Sequence, residues 1–193
     1  DSAKIALMGL GITIVVGMSL ATLMSTRRWL ERATWPYLVA VQSAPILALT
    51  PLIRALIDGS TKQRLLVVVL ISIFPIVSNT LFGLLSADKS QHELFTLHGA
   101  SKSTRLTKLQ FPAAMPNIFV GMKIAITLAV IGAVIGEFVG AQDGLGYLIL
   151  ISSTQSRTAL AFAALVLLTI ISIVLYYALD ILERSVAPWG ARR

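Results

Sequence analysis

Residues 88–112 read DKSQHELFTLHGASKSTRLTKLQFP, the one long polar interruption in a chain that otherwise consists of apolar runs of membrane-spanning length. This is the part that must meet something soluble. Asp88 followed three residues later by Gln91 is a capping-box pattern, which predicts a short helix carrying Leu94, Phe95 and Leu97 as its apolar residues. Gly99 stops that helix, because a glycine just past the last periodic residue can take the left-handed conformation of a C-cap. Ser101 then caps a second short helix bearing Leu106 and Leu109, which Phe111 and Pro112 close. The expected local fold is helix, glycine elbow, helix.

Composition narrows the class. Of 193 residues, 56% are hydrophobic and only 13% charged, too apolar for a water-soluble domain of ordinary make-up. A net charge of +7 would suggest nucleic acid in a soluble protein, but here the basic residues sit between apolar runs, where positive charge records topology; no nucleic-acid partner is expected. No cysteine is present, which removes disulfides and thiolate metal sites. His92 and His98 miss the spacing that puts two ligands on one helical face, so no metal site is expected. Neither a nucleophile elbow nor a Walker loop is visible, and no acid and base stand at a spacing that suggests chemistry, so no catalytic residue is expected.

The fold class that follows is all-α: a polytopic bundle in the lipid bilayer, residues 1–193 forming one domain, with expected spans at 5–26, 38–57, 65–86, 117–140 and 159–182. In the first, Gly9, Thr13, Gly17 and Ala21 recur every fourth residue, a face that allows close helix contact or simply reflects glycine usage in membrane helices. Residues 27–37, basic with two tryptophans, read as an interfacial connector. Pro45 and Pro51 should bend the second span and free carbonyls that need partners. Its Gln42, Ser43 and Thr50 are candidates either to line a pathway or to bond between helices; Ser78 and Asn79, near Pro75 in the third span, join the pathway candidates. In the fourth span, Lys123 can snorkel to the interface, and Glu137 is either a water-exposed acid at the helix mouth or a pathway residue. Gly132, Gly136 and Gly140 form a series expected to pack tightly. Residues 142–158 read as a loop or short re-entrant turn, and Gly140, Gly144 and Gly146 lack the Lys-Ser/Thr of a phosphate-binding loop.

Basic residues set the orientation. Arg27, Arg28, Arg32, Lys89, Lys102, Arg105, Lys108, Arg184, Arg192 and Arg193 fall on one side, against Lys4, Lys62, Arg64 and Arg157 on the other. By the positive-inside rule, residues 88–112 and the C-terminus are cytoplasmic and the N-terminus is outside.

The spacing within residues 88–112 also resembles a family. Glu93, then Gly99 six residues on, then Leu109, Phe111 and Pro112, match the EAA loop (E-A-A-x3-G-x9-I-x-L-P) of ABC importer permease subunits. Leu94 and Phe95 stand where the family has two alanines, and Leu109 and Phe111 replace Ile and Leu, so the helix surface is bulkier. Residues 137–147, EFVGAQDGLGY, are similar to the segment after the next span in permeases of the nitrate, sulfonate and taurine branch. The resemblance to this family extends over nearly the whole chain.

The resemblance implies a permease in the bacterial inner membrane, paired with a second copy or a close homologue and served by an extracytoplasmic substrate-binding protein. It also implies ABC ATPase subunits that carry ATP and Mg, so that this chain needs no cofactor and is not itself an enzyme. Within the ATPase-coupling segment, Glu93 would fix the loop, Gly99 would form the elbow, and Leu94, Phe95 and Leu97 would fill an ATPase groove; Ala100 and Pro112 complete the set. A small anionic or polar organic substrate is implied, and so is a further helix upstream, since the family commonly has six spans. A secondary transporter would be expected to show paired repeats and ionisable residues near the midplane, which are not evident, and a non-transporting scaffold would use the polar loop only for docking.

Overall fold

The computed structural model describes residues 1–189, with backbone alone at 139 and 140. Its helices are α1 (Ser2–Thr26), α2 (Arg28–Ser43), α3 (Ile46–Leu56), α4 (Ser60–Leu85), α5 (Lys89–Leu97), α6 (Lys102–Arg105), α7 (Phe111–Gly140), α8 (Leu145–Thr154) and α9 (Thr158–Val186). Among the described residues, 4 helices are long and apolar enough to cross a membrane, or 5 if α2 and α3 together make one broken span. The all-α polytopic class therefore stands.

Small residues explain which helices meet. α4 and α7 make the most extensive pair, and α1 lies against both. On α1, Gly9, Thr13, Gly17 and Ala21 are all buried, and a Cβ on Gly17 would come within 2.7 Å of Ile76 on α4. The Thr13 and Ser72 hydroxyls meet across this seam at 3.0 Å while each bonds a backbone carbonyl of its own helix. On α7, a Cβ on Gly132 would lie 3.0 Å from the Val68 backbone and one on Gly136 3.1 Å from that of Arg64, so both expected packing glycines face α4. Gly140, the third of that series, lies outside the residues whose surroundings are described. Buried Ala125, Ala129 and Ala133 continue the four-residue spacing from Gly121, whose Cβ would sit 2.8 Å from the Pro75 carbonyl. In lipid, where the hydrophobic effect does not drive helices together, such backbone approach is the main source of packing energy.

Three expected boundaries are corrected. Residues 27–37 are not a connector: α2 starts at Arg28 and runs through Pro36. The second span is not merely kinked, since α2 and α3 diverge by 100°. Pro45 has no N–H to continue the ladder and holds Ala44 extended (φ −67, ψ 135), which breaks the helix. Pro112 does not close the polar segment either. Residues from Lys102 through Phe138 form one continuous apolar-cored helix, interrupted only by a π turn at Leu106–Gln110, in which the Phe111 N–H bonds the Leu106 carbonyl. That widened turn absorbs the change of register just where a proline would otherwise clash.

Prolines inside helices free carbonyls, and side chains take two of them. Pro51 cannot donate to the Leu47 carbonyl, and the Thr50 hydroxyl donates to it instead at 2.6 Å. Pro116 cannot donate to that of Pro112, and Trp189 Nε1 does so at 3.3 Å, tying the segment after α9 to the start of α7.

Candidate functional site

Helix α5 starts at Asp88, whose side chain accepts the Ser90 N–H at 3.2 Å rather than the Gln91 N–H that a full capping box would use. Its end is a Schellman motif: the Gly99 N–H bonds the Thr96 carbonyl at 3.0 Å and the Ala100 N–H reaches back to Phe95 at 2.9 Å. Gly99 has φ +63, and an added Cβ would meet nothing, so the glycine is required by backbone conformation and not by space. Ser101 accepts the Thr104 N–H at 3.2 Å to start α6. Across the elbow, Arg105 Nη1 donates to the Thr96 hydroxyl at 3.2 Å, fixing the angle between the two helices.

This helix buries none of its residues. Leu94 is 52% and Leu97 85% exposed, Glu93, Gly99 and Pro112 are exposed, and Phe95 and Ala100 are half-buried. Two exposed leucines beside the elbow form an apolar surface that no other described residue covers.

At the opposite end of the bundle, residues 142–158, read as a loop or short re-entrant turn, contain the short apolar helix α8. Glu137 is 0% exposed, so the reading of it as a water-exposed acid is corrected. Its Oε2 accepts the Gly146 N–H at 2.7 Å, and the Ser2 hydroxyl accepts the Leu145 N–H at 2.8 Å. The carboxylate thus sits at the positive end of α8, taking an N–H that the helix leaves free. The glycine spacing of residues 137–147 now has a cause. Gly144, at φ +109, has no room for a Cβ beside the Glu137 carboxylate, and a Cβ on Gly146 would stand 2.9 Å from Oε2. Nearby, Arg64 Nη1 pairs with Asp143 Oδ1 at 3.2 Å and joins the start of α4 to the same loop.

The remaining polar candidates do not converge. Gln42 is exposed on the wall of an apolar concavity of about 290 Å³ shared with Leu70, Ile71, Ile131 and Ile135. Ser43 is exposed beside it in sequence, whereas Thr50 is buried and engaged with its own helix. Asn79 Nδ2 donates to the Pro75 carbonyl at 2.9 Å and packs where Gly121 lets α7 approach. Ser78 lines a separate groove of about 450 Å³ with Glu31, Arg32, Trp35 and Phe82.

Lys123, expected to reach toward the interface, has charged partners on α9. It pairs with Asp180 and, at 2.6 Å, with Glu183 of α9, while Arg184 meets Asp180 at 2.8 Å and the Tyr176 ring lies 5.7 Å from the ammonium. A lysine inside an apolar helix needs such partners. The apolar stretch of α9 is only 11% buried, so this cluster is a principal tie between that helix and α7.

The architecture and the sequence have relatives. A formylaminopyrimidine transport permease protein, ThiX, of Halalkalibacterium halodurans is 38% identical over 185 residues, spanning 96% of this chain and 74% of that protein. A riboflavin transport system permease protein, RibX, of Chloroflexus aurantiacus is 37% identical over 164 residues, 85% of this chain and 61% of that one. Among solved structures, the MetNI methionine ABC transporter in an inward-facing conformation superposes with a TM-score of 0.84 at 19% identity, over 95% of this chain and 92% of that one; at this identity the likeness is one of fold. The family described as the binding-protein-dependent transport system inner membrane component matches residues 13–189, and the chain belongs to it.

Proposed function

We propose that this chain is the subunit that forms the translocation pathway of an ABC importer and couples it to ATP hydrolysis through residues 88–112. The observation that carries the coupling assignment is α5 itself: a helix with exposed Leu94 and Leu97, held by a glycine elbow against a helix that continues through the bundle. Phe95, Leu94 and Leu97 enter a groove on the ATPase subunit, Glu93 fixes the loop there, Gly99 and Ala100 set the elbow, and Pro112 lies where the π turn meets the span. ATP and Mg belong to that partner. A second copy of this chain completes the pathway, an extracytoplasmic binding protein delivers the solute, and residues 88–112 and the C-terminus lie in the cytoplasm of the bacterial cell.

Closure of the ATPases would move α5 and α6 as levers and bias the spans between inward-open and outward-open arrangements. Gln42, Ser43, Thr50, Ser78, Asn79 and Glu137 remain the candidates for contact with the pathway, Gln42 being best placed because it is exposed on a concave wall. A small polar organic solute is the favoured cargo, a class supported by relatives named for formylaminopyrimidine and riboflavin transport.

The test is a pair of variants. Gly99→Val forces a β-branched residue to φ +63, and Phe95→Asp puts a charge into a contact that should become buried, at a cost of several kcal/mol. Each should insert and accumulate normally yet lose substrate-stimulated ATP hydrolysis and uptake in membrane vesicles, and Phe95→Asp should also lose the ATPase in a pull-down. Retention of partner and transport by both variants would remove the coupling assignment.

A further inference from the structure

Where α1 ends at Thr26, a cavity of about 360 Å³ opens between that helix end and the α5–α6 elbow. Ser25, Thr26, His92, Lys102, Ser103 and Arg105 line it, and no carboxylate does. Arg105 is held by its bond to Thr96, which orients the guanidinium and leaves its other donors available. Lys102 makes no ion pair among the described residues. The cavity therefore carries two positive charges and an unengaged hydroxyl on Ser103, with no anion of its own.

Its position selects the ligand. α1 is one of the apolar spans, and the chain leaves it through Arg27, Arg28 and an exposed Trp29, a sequence suited to the headgroup level of a bilayer. A basic recess at that depth, opening beside a span, matches a phosphodiester held at the membrane surface. We propose that this cavity binds the phosphate headgroup of an anionic phospholipid from the leaflet on the side of residues 88–112, seated between Lys102 and Arg105 with Ser103 as a neutral donor. Such a lipid would rest against the elbow itself, so the proposal adds a membrane contact to the segment assigned above to ATPase coupling without depending on that assignment.

The experiment uses the complete transporter, reconstituted in mixed phosphatidylglycerol and phosphatidylcholine, then released and examined by native mass spectrometry for retained lipid. The unaltered protein should retain phosphatidylglycerol in preference to phosphatidylcholine. Each cation near an anionic headgroup is worth about fivefold in affinity, so Lys102→Gln with Arg105→Gln should lower retention about 25-fold. Lys89→Gln with Lys108→Gln removes the same charge outside the cavity and should change retention little, while Lys102→Arg with Arg105→Lys keeps the charges and should keep the lipid even if the neutral pair folds poorly. Equal loss in both neutral pairs, or none in either, would overturn the site. So would displacement of the lipid by millimolar inorganic phosphate, which would indicate a site for the free anion. Loss of the ATPase with the lipid retained would assign the cavity to the protein partner instead.

Discussion

Removing the Glu137 carboxylate tests whether α8 is held by a charge at its N-terminus. Glu137→Ala abolishes the bond to the Gly146 N–H, and a hydrogen bond to a charged group contributes about 1.5–3 kcal/mol. It also removes an anion from a helix N-terminus, worth about 0.3–1 kcal/mol and more when partly buried. Against this stands the relief of a buried oxygen, because Oε1 has no hydrogen-bond partner among the described residues. With that relief at about 1 kcal/mol, the net loss should be about 1–3 kcal/mol, which at about 2–4 °C per kcal/mol for a chain of this size lowers the melting temperature by about 2–12 °C. Glu137→Gln keeps an acceptor for Gly146 but places an amide NH2 where nothing accepts it, so it should cost less, about 1 kcal/mol. The assay is thermal unfolding of the purified transporter followed by tryptophan fluorescence. The order Ala worse than Gln is the signature of a cap; a Glu137→Ala protein that melts with the unaltered one, or a Gln variant as damaged as the Ala variant, would refute the reasoning.

Gly136→Leu should prevent folding of the subunit, because a branched side chain would be driven into the Arg64 backbone only 3.1 Å from the Cβ position; a normal yield of monodisperse complex with normal uptake would count against it. Lys123→Ala leaves Glu183 without its lysine and Asp180 with Arg184 alone, and should lower the melting temperature, whereas adding Asp180→Asn and Glu183→Gln should recover at least half of that loss. For orientation, a cysteine placed at Ser101 should react with a membrane-impermeant reagent only from the cytoplasmic side and one at Ser60 only from outside, and labelling of Ser101 from outside would reverse the topology.

The apolar spans and the elbow were legible because each rests on local chemistry. Span length, the Asp88 and Ser101 caps and the positive φ at Gly99 depend on a few adjacent residues, and one sequence carries them in full. What depended on long-range pairing was not. Lys123 gave a snorkelling reading because its stem can reach an interface, yet Asp180 in an otherwise apolar helix was the signal for its partner: two opposite charges in two spans are cheaper together than apart. The seam of Gly121, Ala125, Ala129 and Ala133 was likewise present in the sequence as a four-residue repeat, overshadowed by the glycines beside it. Glu137 could not be read alone, since its burial follows from the return of α8 onto α7. Prolines misled in both directions. Pro45 broke a helix expected only to bend, while Pro112 stopped nothing, because a preceding π turn took up the strain.

The continuous helix from Lys102 to Phe138 bears most directly on mechanism. At about 1.5 Å per residue its 37 residues extend roughly 55 Å, from the elbow at one end of the bundle to the carboxylate that caps α8 at the other. Over the length of the membrane it is locked to α4 by Gly121, Gly132 and Gly136, where the backbones are too close to slide without collision. If residues 88–112 receive the motion of an ATPase, α4 and α7 must therefore move as one body, and the deformation must fall where that packing is absent. The places available are the Gly99 elbow, the π turn at Leu106–Gln110, and the 100° break between α2 and α3. Gln42, the exposed polar residue on a concave wall, lies two to three residues before that break. A hinge and a candidate solute contact thus coincide on the broken α2–α3 span, so a displacement of α7 against α2 and α3 would reshape the wall that carries Gln42 while leaving the α4–α7 body intact.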